Sequence, residues 1–141
     1  MSDPLHALDP QAAADSEAPW TRWLILYVRA LAVLSMLKGL YHWSLVVGVG
    51  DGADSTFELA PMSWKAATVF FAIIDLVAAV GLWLAAVWGG VVWLTAASSM
   101  AAVEIVFPQI FGGQIWVILL EVAAIAGYLG LAIMAARERP D

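Results

Sequence analysis

Residues 65–88 read KAATVFFAIIDLVAAVGLWLAAVW, and this stretch decides the fold. Past Lys65 it holds a single ionisable residue, Asp75. A surface helix of a soluble protein keeps one polar face, and this segment has none. At 1.5 Å per residue a helix of this length reaches roughly 36 Å, enough to cross a hydrocarbon core of about 30 Å. In lipid the backbone must satisfy its own hydrogen bonds, so the segment is expected to span as a helix.

Working outward, three more segments have the same character. Residues 20–47 precede it, and residues 91–107 and 114–136 follow it. The third is the shortest and is rich in Ala and Ser. Gly89-Gly90 reads as a tight turn that folds the second and third segments into an antiparallel hairpin. The sequence PQIFGG, residues 108–113, closes the third helix with proline and opens the fourth after two glycines. The one substantial loop, residues 48–63, carries Gly, Asp and Pro as turn formers. The expected fold is therefore all-α, an integral membrane four-helix bundle with both termini on the same side. Residues 1–19 are acidic and rich in Ala and Pro, and read as a disordered tail. They lack the basic start and apolar run of a secretory signal. Residues 137–141 form a short second tail.

Composition supports this reading. Hydrophobic residues make up 63% of the chain and charged residues 13%, more apolar than a soluble domain of this size can hide. The absence of cysteine excludes disulfides, thiolate metal sites and cysteine nucleophiles. The formal net charge of −6, with no basic face, excludes a nucleic-acid partner. Arg22, Arg137 and Arg139 flank the outer ends of helices one and four, whereas Asp51, Asp54 and Glu58 lie in the long loop. By the positive-inside rule both termini are expected to be cytoplasmic, in a bacterial inner membrane. Trp20, Trp23, Trp88 and Trp93 are expected in the inner interfacial belt, and Trp43, Trp64 and Trp116 in the outer one.

Six ionisable residues fall within the apolar segments: Arg29, Lys38, His42, Asp75, Glu104 and Glu121. A charged side chain at the centre of a membrane helix costs at least ~2.5 kcal/mol, so such residues face the interior and pair. Lys38 and His42, at i and i+4, share a helix face. Depth groups them with Glu104 and Glu121 and leaves Arg29 to reach Asp75 as a second pair. The cluster either fastens the bundle, lines a cavity for protons, quinone or a small solute, or meets a partner subunit. No metal is expected, because no helix carries a His/carboxylate pair at ligand spacing. Haem with two histidine ligands is excluded by the single membrane histidine. The chain has no nucleophile elbow, P-loop, zinc-protease motif or dinucleotide fingerprint, so no enzymatic activity and no bound cofactor are expected. Small residues on the third helix (Thr95 to Ala102) and the fourth (Ala123, Ala126, Gly127, Gly130) suit close helix packing, within the chain or between copies.

Helix one carries Arg29 and Gly39, in VRALAVLSMLKGLYHW. Helix two carries Asp75 and Gly81, in IIDLVAAVGLWLAAVWGG, followed by a short turn into an Ala-rich third helix. Over residues 22–136 this pattern resembles the DoxX-like four-helix membrane proteins, and most closely small alphaproteobacterial membrane proteins of unknown function. The resemblance implies a polar core built on Arg29, Gly39, Asp75 and Gly81, and membership of a membrane redox system, often quinone-coupled, beside a catalytic partner. Here Asp stands where many relatives would carry Glu. The expected role is that of an accessory or assembly subunit, with the lipid bilayer and a membrane protein or a second copy as partners. A quinone-linked redox component, or a conductor of protons or small solutes, is the alternative.

Overall fold

The computed structural model describes residues 19–49, 56–112 and 114–138, and these form six helices. Four are long: α1 (Pro19–Val46), α3 (Met62–Trp83), α4 (Val87–Val106) and α6 (Ile115–Arg137). Two single turns, α2 (Thr56–Leu59) and α5 (Pro108–Phe111), sit between them. All four long helices are apolar and long enough to cross a membrane. Of the tail expected over residues 1–19, Pro19 opens α1 and residues 1–18 lie outside the described residues, as do residues 139–141 of the last tail.

The long helices pack in a ring, α1 on α3, α3 on α4, α4 on α6 and α6 back on α1. Each runs antiparallel to its neighbours, so α1 starts and α6 ends on the same face of the bundle. A side-chain cap fixes that closure. The Glu138 carboxylate accepts hydrogen bonds from the backbone N–H groups of Trp20 (3.2 Å) and Thr21 (3.3 Å). These are among the first N–H groups of α1, which have no partner inside the helix.

The hairpin between α3 and α4 turns earlier than the glycines suggest. The reversal is at Leu84–Ala86, with Ala85 in the left-handed region at φ 50°. The N–H groups of Leu84, Ala85 and Ala86 return to carbonyls at the end of α3. Gly89 and Gly90 belong instead to the first turns of α4 and are buried. Gly89 lies against Gly81 so closely that a methyl group on either would overlap the other's backbone. The glycines thus serve the crossing of two helices, and α4 gains length by starting at Val87. A single turn at Thr56–Leu59 breaks the long loop. It is tied to α3 by the Lys65 ammonium, which donates to the Glu58 carbonyl (2.7 Å) and sits 5.8 Å from the Phe57 ring centre.

An apolar core fills the half of the bundle nearer the termini. Val28, Leu31 and Ala32 of α1 meet Ala78 and Leu82 of α3 and Trp93 and Ala97 of α4 there. Trp93 is 5% exposed and packs edge-on against Tyr128. It is a core residue and not part of an interfacial belt, because it points between α4 and α6 where an indole fills volume. Trp20, Trp23, Trp43, Trp88 and Trp116 are exposed. The small residues divide by role. Gly127 is spent within the chain, since the Tyr27 hydroxyl lies 2.7 Å from where its methyl would be, and that hydroxyl donates to the Ala124 carbonyl. Gly130 faces open space. The fourth long helix is the least embedded: of its residues only Ala135 is buried.

Candidate functional site

The other half of the bundle, toward the 47–61 loop and α5, has a polar interior. Helical spacing builds it. On α3, Thr68, Phe71, Ala72 and Asp75 recur at three- and four-residue steps and all point inward, where they are buried. On α1, Ser35, Gly39 and His42 share the buried face, with Lys38 at its edge. Gly39 lets α3 approach: a methyl group there would stand 2.8 Å from the Leu76 side chain. That approach brings the Lys38 ammonium to 3.9 Å from Asp75 Oδ1. The same ammonium donates to Glu121 Oε1 of α6 at 2.7 Å. One cation thus links two carboxylates from two other helices.

The environments of the three differ. The Asp75 side chain is 2% exposed, that of Glu121 12% and that of Lys38 35%. The ion pair therefore opens outward at the seam between α1 and α6. Inward, Asp75 Oδ2, Thr68 Oγ1 and His42 Nδ1 are buried without a hydrogen-bond partner among the described residues. The fourth such atom, Thr21 Oγ1, belongs to the opposite end of the bundle. The His42 ring is surrounded by aromatics, with ring centres of Phe71 and Phe111 each at 5.9 Å and Tyr41 at 5.7 Å. Phe111 comes from α5, whose left-handed cap at Gly112 (φ 92°) turns the chain toward α6.

Of the six sequence-selected residues, three are joined directly: Lys38, Asp75 and Glu121. His42 sits one helical turn beyond Lys38 on the same face. Glu104 is buried, yet its Oε2 accepts the backbone N–H of Gln114 (3.0 Å), the residue that starts α6. It thus fastens α4 to α6 at the loop end. The pairing of Arg29 with Asp75 is not formed. Arg29 is exposed, with its guanidinium 6.0 Å from the Trp83 ring centre, because nine residues place it on the side of α1 opposite Lys38. Sequence reasoning missed Thr68 and Ser35. Their signal was the i, i+7 spacing from Asp75 and the i−3 spacing from Lys38.

Four membrane-length apolar helices around a charged interior define a small multi-pass membrane protein. More particularly, the chain belongs to a family of unknown function, DUF6163, whose sequence profile matches residues 22–139. No curated protein and no solved structure matches it.

Proposed function

We propose that this protein is a non-enzymatic accessory or assembly subunit of a bacterial inner-membrane complex, with both termini cytoplasmic. The observation that carries the reading is the open ion pair at the seam of α1 and α6. Lys38 is about a third exposed at a depth of roughly 12 Å from the end of α1. The open side of that ammonium, beyond its bond to Glu121, has N–H groups that hydrocarbon cannot satisfy. A partner helix laid along the seam, presenting a carbonyl, hydroxyl or carboxylate to the ammonium, satisfies them. The shallow embedding of α6 supports the same reading, because a helix with one buried residue leaves most of its surface for lipid or protein.

The alternative, a quinone-linked redox component or a conductor of protons or small solutes, draws on the unpartnered polar atoms around Asp75. The apolar core across the other half of the bundle weighs against conduction. The DoxX-like resemblance contributes its polar-core motif in part. Gly39 and Gly81 stand at helix crossings and Asp75 in the interior, whereas Arg29 stands outside it. Purification of the native assembly in nanodiscs, with mass spectrometry of bound proteins and small molecules, tests the reading. A stoichiometric membrane protein is expected. A chain that carries only lipid or a quinone would sink it.

A further inference from the structure

Arg29 is the one charge of the six that the interior does not use. It is exposed, as is Arg22, and among the described residues neither guanidinium forms an ion pair or a hydrogen bond. Its level follows from the register of α1 on α3. The His42 ring stands 5.9 Å from Phe71, Lys38 stands 3.9 Å from Asp75, Gly39 lies against Leu76, and Arg29 stands 6.0 Å from the Trp83 ring centre. Trp83 is the last residue of α3. With 22 residues α3 is roughly 33 Å long, a little more than a hydrocarbon core of about 30 Å. Its ends therefore stand at the two headgroup boundaries, and Arg29 is level with the boundary on the side of the termini.

The first turns of α1 run on past the hairpin at Leu84–Ala86. They are accompanied by α6, through the bonds from Trp20 and Thr21 to Glu138. On this extension Arg22 shares the face of Arg29, two helical turns away and roughly 10 Å further out. Toward the bilayer centre the same face continues in exposed apolar residues, Val33 and Met36 of α1, with Val80 of α3 one turn before Trp83. The face is thus cationic at the phosphate level and apolar beneath it. Among the described residues Glu138 is the only carboxylate at this end, and it is taken by the α1 N–H groups.

We infer that this face binds an anionic phospholipid, with its phosphate on Arg29, its headgroup within reach of Arg22, and an acyl chain along Val33, Met36 and Val80. A guanidinium offers a fork of donors that matches phosphate, and its long stem reaches along the helix. Two cations without a carboxylate select a headgroup of net negative charge, because the ammonium of a zwitterionic headgroup meets no free acceptor here. The site lies on the side of α1 opposite the Lys38 seam, so a lipid here and a partner there do not compete.

The full chain in nanodiscs of phosphatidylcholine with a minor share of phosphatidylglycerol tests the site, with native mass spectrometry reading the lipid retained. Phosphatidylglycerol is expected to be retained beyond its share of the bilayer. Arg29→Gln and Arg22→Gln should each lower that retention roughly fivefold, as expected for one basic side chain at a membrane surface. Arg137→Gln, at the same end but on α6, should leave it unchanged. Equal losses in all three variants would mean a general surface attraction, and retention in proportion to bilayer composition would mean no selectivity; either overturns the site. So would the absence of retained phosphatidylglycerol, the result if the acidic residues 1–18 cover these arginines instead. If a variant fails to fold, solid-state NMR on the unsubstituted chain gives an independent reading. Dephasing of the Arg29 Cζ signal by lipid phosphorus is expected, and its absence overturns the inference.

Discussion

Replacing Gly89 with alanine drives a methyl group into the backbone of Gly81, where α3 and α4 cross. No side chain is available there to swing aside, because the obstructing atoms belong to the Gly81 carbonyl and the Leu82 amide. The two helices must therefore separate along their contact. Overpacking of a tight core typically costs 1–3 kcal/mol, and a backbone obstruction belongs at the upper end. About 3 kcal/mol corresponds to a roughly hundredfold change in the unfolding constant. The assay is reversible unfolding in mixed micelles with rising SDS, followed by tryptophan fluorescence. Gly130→Ala is the matched control. Its methyl meets nothing within 4 Å, so a change within about 0.5 kcal/mol is expected. Equal stability for the two variants would refute the claim that the glycines serve the helix crossing.

The remaining predictions use the same unfolding assay. Lys38→Met strips the cation from two carboxylates and is expected to cost about 1–3 kcal/mol, less than for a fully buried pair because the Lys38 side chain is about a third exposed. The combined change with Asp75→Asn and Glu121→Gln should recover much of that loss, and strict additivity of the three would contradict the cluster. Trp93→Ala should cost about 3–5 kcal/mol, whereas Trp116→Ala, on an exposed ring, should stay within about 0.5 kcal/mol; a reversed order would restore Trp93 to the belt. Ala85→Gly should stabilise by up to about 1 kcal/mol by relieving the left-handed residue in the hairpin, and a loss of stability would place the turn elsewhere. Glu138→Ala should cost about 0.5–2 kcal/mol through the lost cap on α1; no change would show that this contact does not close the bundle.

Long apolar runs announced the four helices, because in lipid a backbone has few alternatives to helix. The hairpin was misplaced because Gly-Gly is the strongest local turn signal, whereas the chain reverses through Leu84, Ala85 and Ala86, which carry none. Only contact between two helices reveals that Gly81 and Gly89 are small for packing. The interior charges were legible as a set, since each is costly in lipid, but their pairing was not. Depth allowed Arg29 to reach Asp75, although the nine-residue step from Lys38 already set the two on opposite sides of α1. The rotation of α1 decides otherwise, aiming Lys38 at the seam and Arg29 at Trp83. Trp93 shows the same limit: its level in the membrane suited a belt, and its direction into the core is set by the packing of α4 on α6.

The seam between α1 and α6 is where the subunit reading is most exposed. A photo-crosslinking amino acid at Leu34, one turn before Lys38, or at Leu120, beside Glu121, samples it in living cells; Ile73 on the outer face of α3 is the control, and all three side chains are exposed. The account predicts a discrete crosslink to one other membrane protein from positions 34 and 120 and none from 73. Lipid adducts alone at all three positions would contradict it.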